Sequence, residues 1–456
     1  MNDFEKSCHE LGDAGPRKLP CNRTHFGQSR TASERICVPY FLAAAGQIAQ
    51  AVEPPKARLW RQMKENTLAL AAMALAVAAG ALAHFTLSGL LLLVLGWRLA
   101  PSASWFALAS MLFGMAAFPD GGLGYANLYG ITRLPLRMSC VALPAIWAFV
   151  AFAPAAAAIR WRDHSRAAVR AAASIGGWFL GPLLLGPWMV MHPLLAAGAW
   201  FPGLGIVAVA LLALFILALC LVAEPATPAV LTIVIVSLAW AAEGEPLPGP
   251  NAQVAAISMT AEETRPLRRA PAKRVLALLD HIDAALSRGA RTILLPETVV
   301  HQGDGTAMAF EAGAQRLAER YGATIWVGID DRKNGRLRSV LHAVAPRASR
   351  LPADIEPALT MPVTMGMPWH GLPGGILSAN SRRMDTRVGL LSPLFCYEAL
   401  SVLAWLERLR GPQPTMVAFV SNQWWAQSPA TGNVLQVAAR DFARLQGVPL
   451  IAAIVQ

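Results

Sequence analysis

A succession of apolar runs fills the chain from Thr67 to Ala242, about seven of them, at approximately 67–83, 85–100, 102–118, 138–159, 174–192, 203–222 and 226–242. An α-helix needs roughly 20 apolar residues to cross the hydrocarbon layer of a bilayer. The runs therefore predict an α-helical transmembrane bundle (about seven spans) over residues 65–243. The overall balance agrees, since 55% hydrophobic against 15% charged residues is too apolar for an ordinary soluble protein. Ionisable side chains are nearly absent from the runs, which disfavours a transporter, whose pathway needs them.

The second run is short and is separated from the first only by His84, so charge decides whether it counts. Lys and Arg near helix ends favour the cytoplasm. Lys56, Arg58, Arg61 and Lys64 put the preceding segment inside, and seven spans then also put Arg98, Arg160, Arg162, Arg166 and Arg170 inside. The same count sends everything after the last run to the outer face. For a bacterial envelope protein that means a multi-pass inner (cytoplasmic) membrane protein with a periplasmic C-terminal domain.

Residues 1–64 are polar, rich in Arg, Lys, Ser and Gly, and without a sustained period; they are expected to be a disordered basic cytoplasmic tail. The first apolar helix starts only near Thr67, so no cleavable secretion signal is expected at Met1. The net charge of +11 is spread over tail, loops and C-terminal domain with no basic stripe, so direct nucleic-acid binding is not expected. The cysteines, Cys8, Cys21, Cys37, Cys140, Cys220 and Cys396, form no CxxC and have no metal-type histidine spacing. Neither a metal, nor a cofactor, nor a disulfide framework is indicated.

A Pro/Gly hinge at 244–251 separates the bundle from residues 252–456, where the pattern changes. Strands are expected at Gln253–Ser258, Thr292–Leu295, Thr324–Ile329, Leu337–Val344, Val388–Leu394 and Met416–Ser421. Helices are expected at Lys273–Arg288, Thr306–Tyr321 and Asn433–Gln446, with another between the last two strands and a turn at Lys333-Asn334-Gly335. Buried strands alternating with helices predict a layered α/β domain.

Two of these strands end in residues that can do chemistry. Thr292-Ile-Leu-Leu-Pro-Glu297 delivers a carboxylate, and Gly389-Leu-Leu-Ser-Pro-Leu-Phe-Cys-Tyr-Glu398 delivers a thiol followed by a second carboxylate. Residues just beyond strand ends line the functional crevice of open α/β sheets, and Asn422 falls at a similar place. A thiol attacks as thiolate, so Cys396 needs a base, which Glu297 in an apolar pocket can supply. The backbone N–H of Tyr397 is a natural oxyanion donor, and Glu398 either orients an acceptor, holds a cation or begins a helix. A buried cysteine, a turn carboxylate and the paired Trp424 and Trp425 are each more often packing than chemistry. It is the joint pattern that points to a site.

Leu-Pro-Glu297, Phe-Cys-Tyr-Glu398 and Ser421-Asn-Gln-Trp-Trp425 resemble the carbon-nitrogen hydrolase (nitrilase) superfamily, which uses a Glu-Lys-Cys triad. With an apolar block ahead of the domain, the chain is similar to the apolipoprotein N-acyltransferase family and most closely to the family of the conjugal transfer protein TraB. The resemblance implies a nitrilase-like αββα sandwich, with Glu297 as general base, Cys396 as nucleophile and Glu398 as the second active-site carboxylate. It implies acyltransferase- or amidase-type chemistry through a Cys thioester, on a membrane lipid or lipoprotein substrate, in association with envelope or conjugation machinery proteins. The triad lysine has no counterpart in Asp354–Val363; Lys333 is the only lysine between Glu297 and Cys396, and Arg347 or Arg350 could bring charge but not proton exchange. The alternative is therefore a catalytically inactive envelope or scaffold component that keeps the fold only. The chain ends right after a strand at Ile454-Val-Gln456, without the closing hairpin and final membrane helix of the acyltransferase. Either this branch of the family is shorter or this copy of the domain is C-terminally shortened.

Overall fold

The structure, a computed structural model, describes in the main residues 55–119, 191–221, 247–260, 271–301, 306–347, 354–355, 384–423 and 429–455. The apolar part opens with helix α1, Pro55–Leu82. Proline suits a first helical position because its missing N–H has no partner there in any case. Ala69, Ala72, Ala76, Ala79 and Gly80 make a buried small-residue stripe along it, while Leu70 and Val77 stay exposed. Helix α2, Leu90–Leu99, turns back along that stripe, and a Cβ on its Gly96 would stand 2.9 Å from the Ala72 carbonyl oxygen. Helix α3, Ala103–Ala117, closes on the other side, where a Cβ on Gly80 would stand 2.6 Å from the Phe113 carbonyl oxygen. Small residues let helix backbones approach this closely. Further on come a 3-10 turn at Pro193–Ala196, α4 at Ala197–Trp200 and α5 at Ile206–Leu221.

The expectation of about seven spans is corrected among the described residues. Only α1, at 28 residues, is long and apolar enough to cross a membrane. The runs at 85–100, 102–118 and 203–222 form helices of 10, 15 and 16 residues. At 1.5 Å per residue the shortest spans about 15 Å, half of a hydrocarbon layer. Its residues Leu90 to Trp97 are all buried in protein, so apolarity there serves internal packing. The runs at 138–159, 174–192 and 226–242 lie essentially outside the described residues. Helix α1 also starts earlier than the 1–64 tail allows, because Lys, Arg and Leu are good helix formers and extend it back to Pro55.

Beyond residue 247 two sheets form. The first contains β1 (Val254–Ala256), β2 (Thr292–Leu294), β4 (Thr324–Lys333), β5 (Arg336–Val344) and β6 (Asp354–Ile355) in that order, with β3 (Val300–His301) also paired to β4. The second runs β10 (Leu450–Val455), β9 (Met416–Asn422), β8 (Gly389–Phe395), β7 (Met384–Thr386). The two-residue period of each strand sorts its side chains to two cores. Leu294 and Trp326 join Leu391, Phe395, Ala418 and Val420 in one apolar cluster between the sheets. Their neighbours Ile293, Ile325 and Val327 face the other way, against α6 (Pro271–Ser287) and α7 (Thr306–Tyr321). Leu394, Val417 and Phe419 likewise face Trp405 of α8 (Val402–Leu409) and Ala438 and Phe442 of α9 (Pro429–Gln446). The result is a four-layer αββα sandwich.

The outer layer of α9 is also the floor on which the apolar helices rest. Gly203 N–H donates to Arg444 O and Gly205 N–H to Leu445 O, both at 2.8 Å, satisfying carbonyls at the end of α9. Arg440 Nη2 donates to Phe85 O at 2.8 Å, just past the C-terminal end of α1. A Cβ on Gly198 would stand 1.8 Å from the Asp441 carbonyl oxygen, so only glycine fits.

Most expected elements stand within a residue or two, including the helix Thr306–Tyr321 followed by Gly322 at φ +58°. The expected strand at Thr324 instead runs on to Lys333, which pairs with Arg336. β3, β6 and β7 were not expected; at 2, 2 and 3 residues they are too short to show a period.

Candidate active site

Strand pairing decides which edge each residue occupies. β1, β2 and β4 run parallel, with Ala256 opposite Leu294 and Leu294 opposite Trp326. β8, β9 and β10 also run parallel, with Phe395 opposite Val420 and Asn422 opposite Val455. A parallel bridge between Met259 and Val455, with Met259 N–H donating to Ile454 O at 2.8 Å, joins the C-terminal ends of β1 and β10. The parallel strands of both sheets therefore end on one side. Glu297, half-buried in the turn after β2, and Cys396, the first residue after β8, both stand on that side. Asn422, the last residue of β9, joins them and is buried.

Cys396 is buried and carries no disulfide. It opens a 3-10 turn, Cys396–Leu400, entered from extended Phe395 at φ −89°, ψ 138°. The first N–H groups of such a turn have no partner within it, which leaves the Tyr397 N–H suited to an oxyanion. The sulfur accepts a hydrogen bond from Ser421 Oγ at 3.3 Å, and Ser421 Oγ in turn accepts from Gln423 Nε2 at 3.1 Å. Cys396 also belongs to the apolar cluster that runs from α9 into Met191, Leu195 and the helices beyond.

Glu398 is fully buried, and its side chain both closes the start of the turn that Cys396 opens and faces a cation. Its Oε2 accepts from the Phe395 N–H at 3.0 Å and from Arg408 Nη2 at 3.3 Å. The side chains of this ion pair are 0% and 1% exposed. The carboxylate thus ties the residue before Cys396 to α8. The rest of the turn is held as firmly: Trp405 Nε1 donates to Ala399 O at 3.0 Å, and Met191 N–H donates to Leu400 O at 3.0 Å.

The sources of positive charge fall unequally. Arg347 is exposed beyond Val344, and since Val344 pairs with Ile325 near the start of β4, it lies at the opposite edge from Glu297. Lys333 ends β4, seven residues past Trp326, or about 23 Å along the strand at 3.3 Å per residue. Along β4 its backbone lies five residues past Gly328, whose carbonyl accepts from the Val299 N–H at 2.9 Å. Arg350, most of Asp354–Val363, and Trp424 and Trp425 lie outside the described residues.

Two functional groupings escape a reading of the motifs alone. Arg408 had a signal: Val402, Ala404, Trp405 and Arg408 share the buried face of α8, and an arginine on an apolar face needs a buried acid. The Gln423–Ser421–Cys396 chain had none, because it depends on the register between β8 and β9.

No protein-family model matches the chain, and no curated protein matches it. Among solved structures it is similar to an amidase of the nitrilase superfamily from Nesterenkonia AN1, at 18% identity over 46% of this chain and 79% of that one, with a TM-score of 0.33. It is also similar to a carbon-nitrogen hydrolase from Helicobacter pylori G27, at 14% identity over 44% of this chain and 73% of that one, with a TM-score of 0.34.

Proposed function

We propose that this chain is a membrane-attached carbon-nitrogen hydrolase-like enzyme of acyltransferase or amidase type, in which Cys396 carries the acyl group as a thioester. The observation that carries this reading is the delivery of Glu297 and Cys396 by separate parallel strands to one edge of a two-sheet sandwich. Glu297 takes the thiol proton; the sulfur pair forms the S–C bond while the carbonyl π pair moves onto oxygen, toward the Tyr397 N–H. The oxyanion collapses, the bond to the leaving nitrogen or oxygen breaks, and that atom takes the proton from Glu297. Water or an amine then attacks the thioester, losing a proton to Glu297, and the thiolate departs.

Attachment to a bacterial inner membrane is supported by α1 and by apolar side chains left exposed outside the sandwich, among them Leu70, Val77, Phe85, Ile206, Val207 and Leu214. Lys56, Arg58, Arg61 and Lys64 at the start of α1 favour the cytoplasm, while Arg440 of α9 contacts Phe85 past the other end of that helix. This favours a periplasmic domain. An acyl donor drawn from a lipid or lipoprotein fits a thiol that shares an apolar cluster with the helices. Motif likeness to the TraB family favours a role beside plasmid conjugal transfer proteins.

A second reading, an inactive envelope scaffold, is favoured by one observation: Asp354–Val363 holds no lysine where the triad calls for one. The two readings separate on labelling. An acyl probe should modify wild-type protein and spare Cys396→Ala, whereas a scaffold tolerates Cys396→Ala in a transfer assay but not deletion of 252–456.

A further inference from the structure

Cys396 Sγ stands at the end of a chain of donors. A serine hydroxyl has one proton to give. Because Ser421 Oγ already accepts from Gln423 Nε2 at 3.1 Å, its own proton is directed to the sulfur at 3.3 Å. Ser421 is 0% and Gln423 6% exposed, and in such surroundings consecutive hydrogen bonds polarise one another. Gln423 is itself fixed, its backbone N–H donating to Val455 O at 2.9 Å. Its side-chain amide rests on Gly432, where a Cβ would stand 2.3 Å from Gln423 Oε1. Gly432 is the fourth residue of α9, in its first turn. The missing side chain is the room the amide occupies.

We propose that Ser421 and Gln423 form a relay that holds Cys396 as an oriented thiolate, Ser421 acting on the reacting sulfur and Gln423, seated on Gly432, positioning the serine. A donor aimed at sulfur favours the charged form over the thiol. The relay donates and accepts no net proton; the thiol proton leaves to Glu297. The inference rests on the thioester reading and supplies the stabilising donors that a triad lysine would otherwise provide.

The test uses the full-length chain in detergent, with iodoacetamide as probe and alkylation of the Cys396 peptide followed by mass spectrometry across a range of pH. Ser421→Ala should move the midpoint of the alkylation profile upward by about one pH unit and slow alkylation below it about tenfold. Ser421→Thr, which keeps the hydroxyl, should retain the wild-type midpoint. Gly432→Ala should shift it the same way as Ser421→Ala, and decides the matter if Ser421→Ala does not fold. Profiles for Ser421→Ala and Gly432→Ala that superimpose on wild type overturn the relay. A separate arm uses the acyl probe: an unshifted profile with a normal wild-type acyl adduct sinks the relay alone. No wild-type adduct at Cys396 sinks the thioester reading and the relay with it.

Discussion

Glu398→Gln isolates what the buried carboxylate beside the nucleophile does. Glu398 and Arg408 face each other at 3.3 Å with side chains 0% and 1% exposed. At an effective dielectric of 20 their attraction is roughly 5 kcal/mol, much of it offset by desolvation. The amide of glutamine can still accept the Phe395 N–H, now at 3.0 Å from the carboxylate. What changes is that the Arg408 guanidinium stays buried without its counter-charge, which costs about 3 kcal/mol or more. For a domain of this size that lowers Tm by roughly 6–12 °C, read by thermal unfolding of purified protein in detergent. Glu398→Gln combined with Arg408→Met should recover most of the loss, since both charges leave together. A single variant within about 1 kcal/mol of wild type would refute a structural role for the Glu398–Arg408 ion pair. A double variant that folds normally but no longer forms the Cys396 acyl adduct would mean that Glu398 acts on the substrate instead.

Two further perturbations probe the mounting of the domain and the missing cation. Gly198→Leu drives a side chain into the Asp441 carbonyl and should destabilise by about 3 kcal/mol or more, with faster amide exchange at the end of α9; wild-type exchange there would contradict the packing. Lys333→Ala should leave the rate of acyl labelling at Cys396 within about twofold, since its backbone lies along β4 past Gly328, the level of the Glu297 turn, whereas a loss on the order of 10² would make Lys333 the triad lysine.

The α/β half was legible because its strands are short buried runs bounded by Gly and Pro, and helices such as Thr306–Tyr321 carry a clear 3.6-residue period. Motifs at two strand ends were enough to bring Glu297 and Cys396 to a common edge before any register was known. Apolar composition misled where it was used as a count of spans. The helix Leu90–Leu99 is as apolar as a membrane helix, but its residues Leu90 to Trp97 are buried in protein, in a cluster shared with α1 and the turn at Pro193–Ala196, and hydropathy cannot separate those two environments. The role of Glu398 was open in the sequence because its partner, Arg408, sits ten positions on, beyond the turn. The relay on Cys396 was invisible, because it is set by which residue of β9 falls beside the end of β8.

The most direct test of the central claim is intact-protein mass spectrometry after incubation with an activated acyl ester. The account predicts one added acyl group, mapped to Cys396, released by hydroxylamine, absent from Cys396→Ala and formed more slowly in Glu297→Gln. Equal acylation of wild type and Cys396→Ala, or none in either, would contradict it.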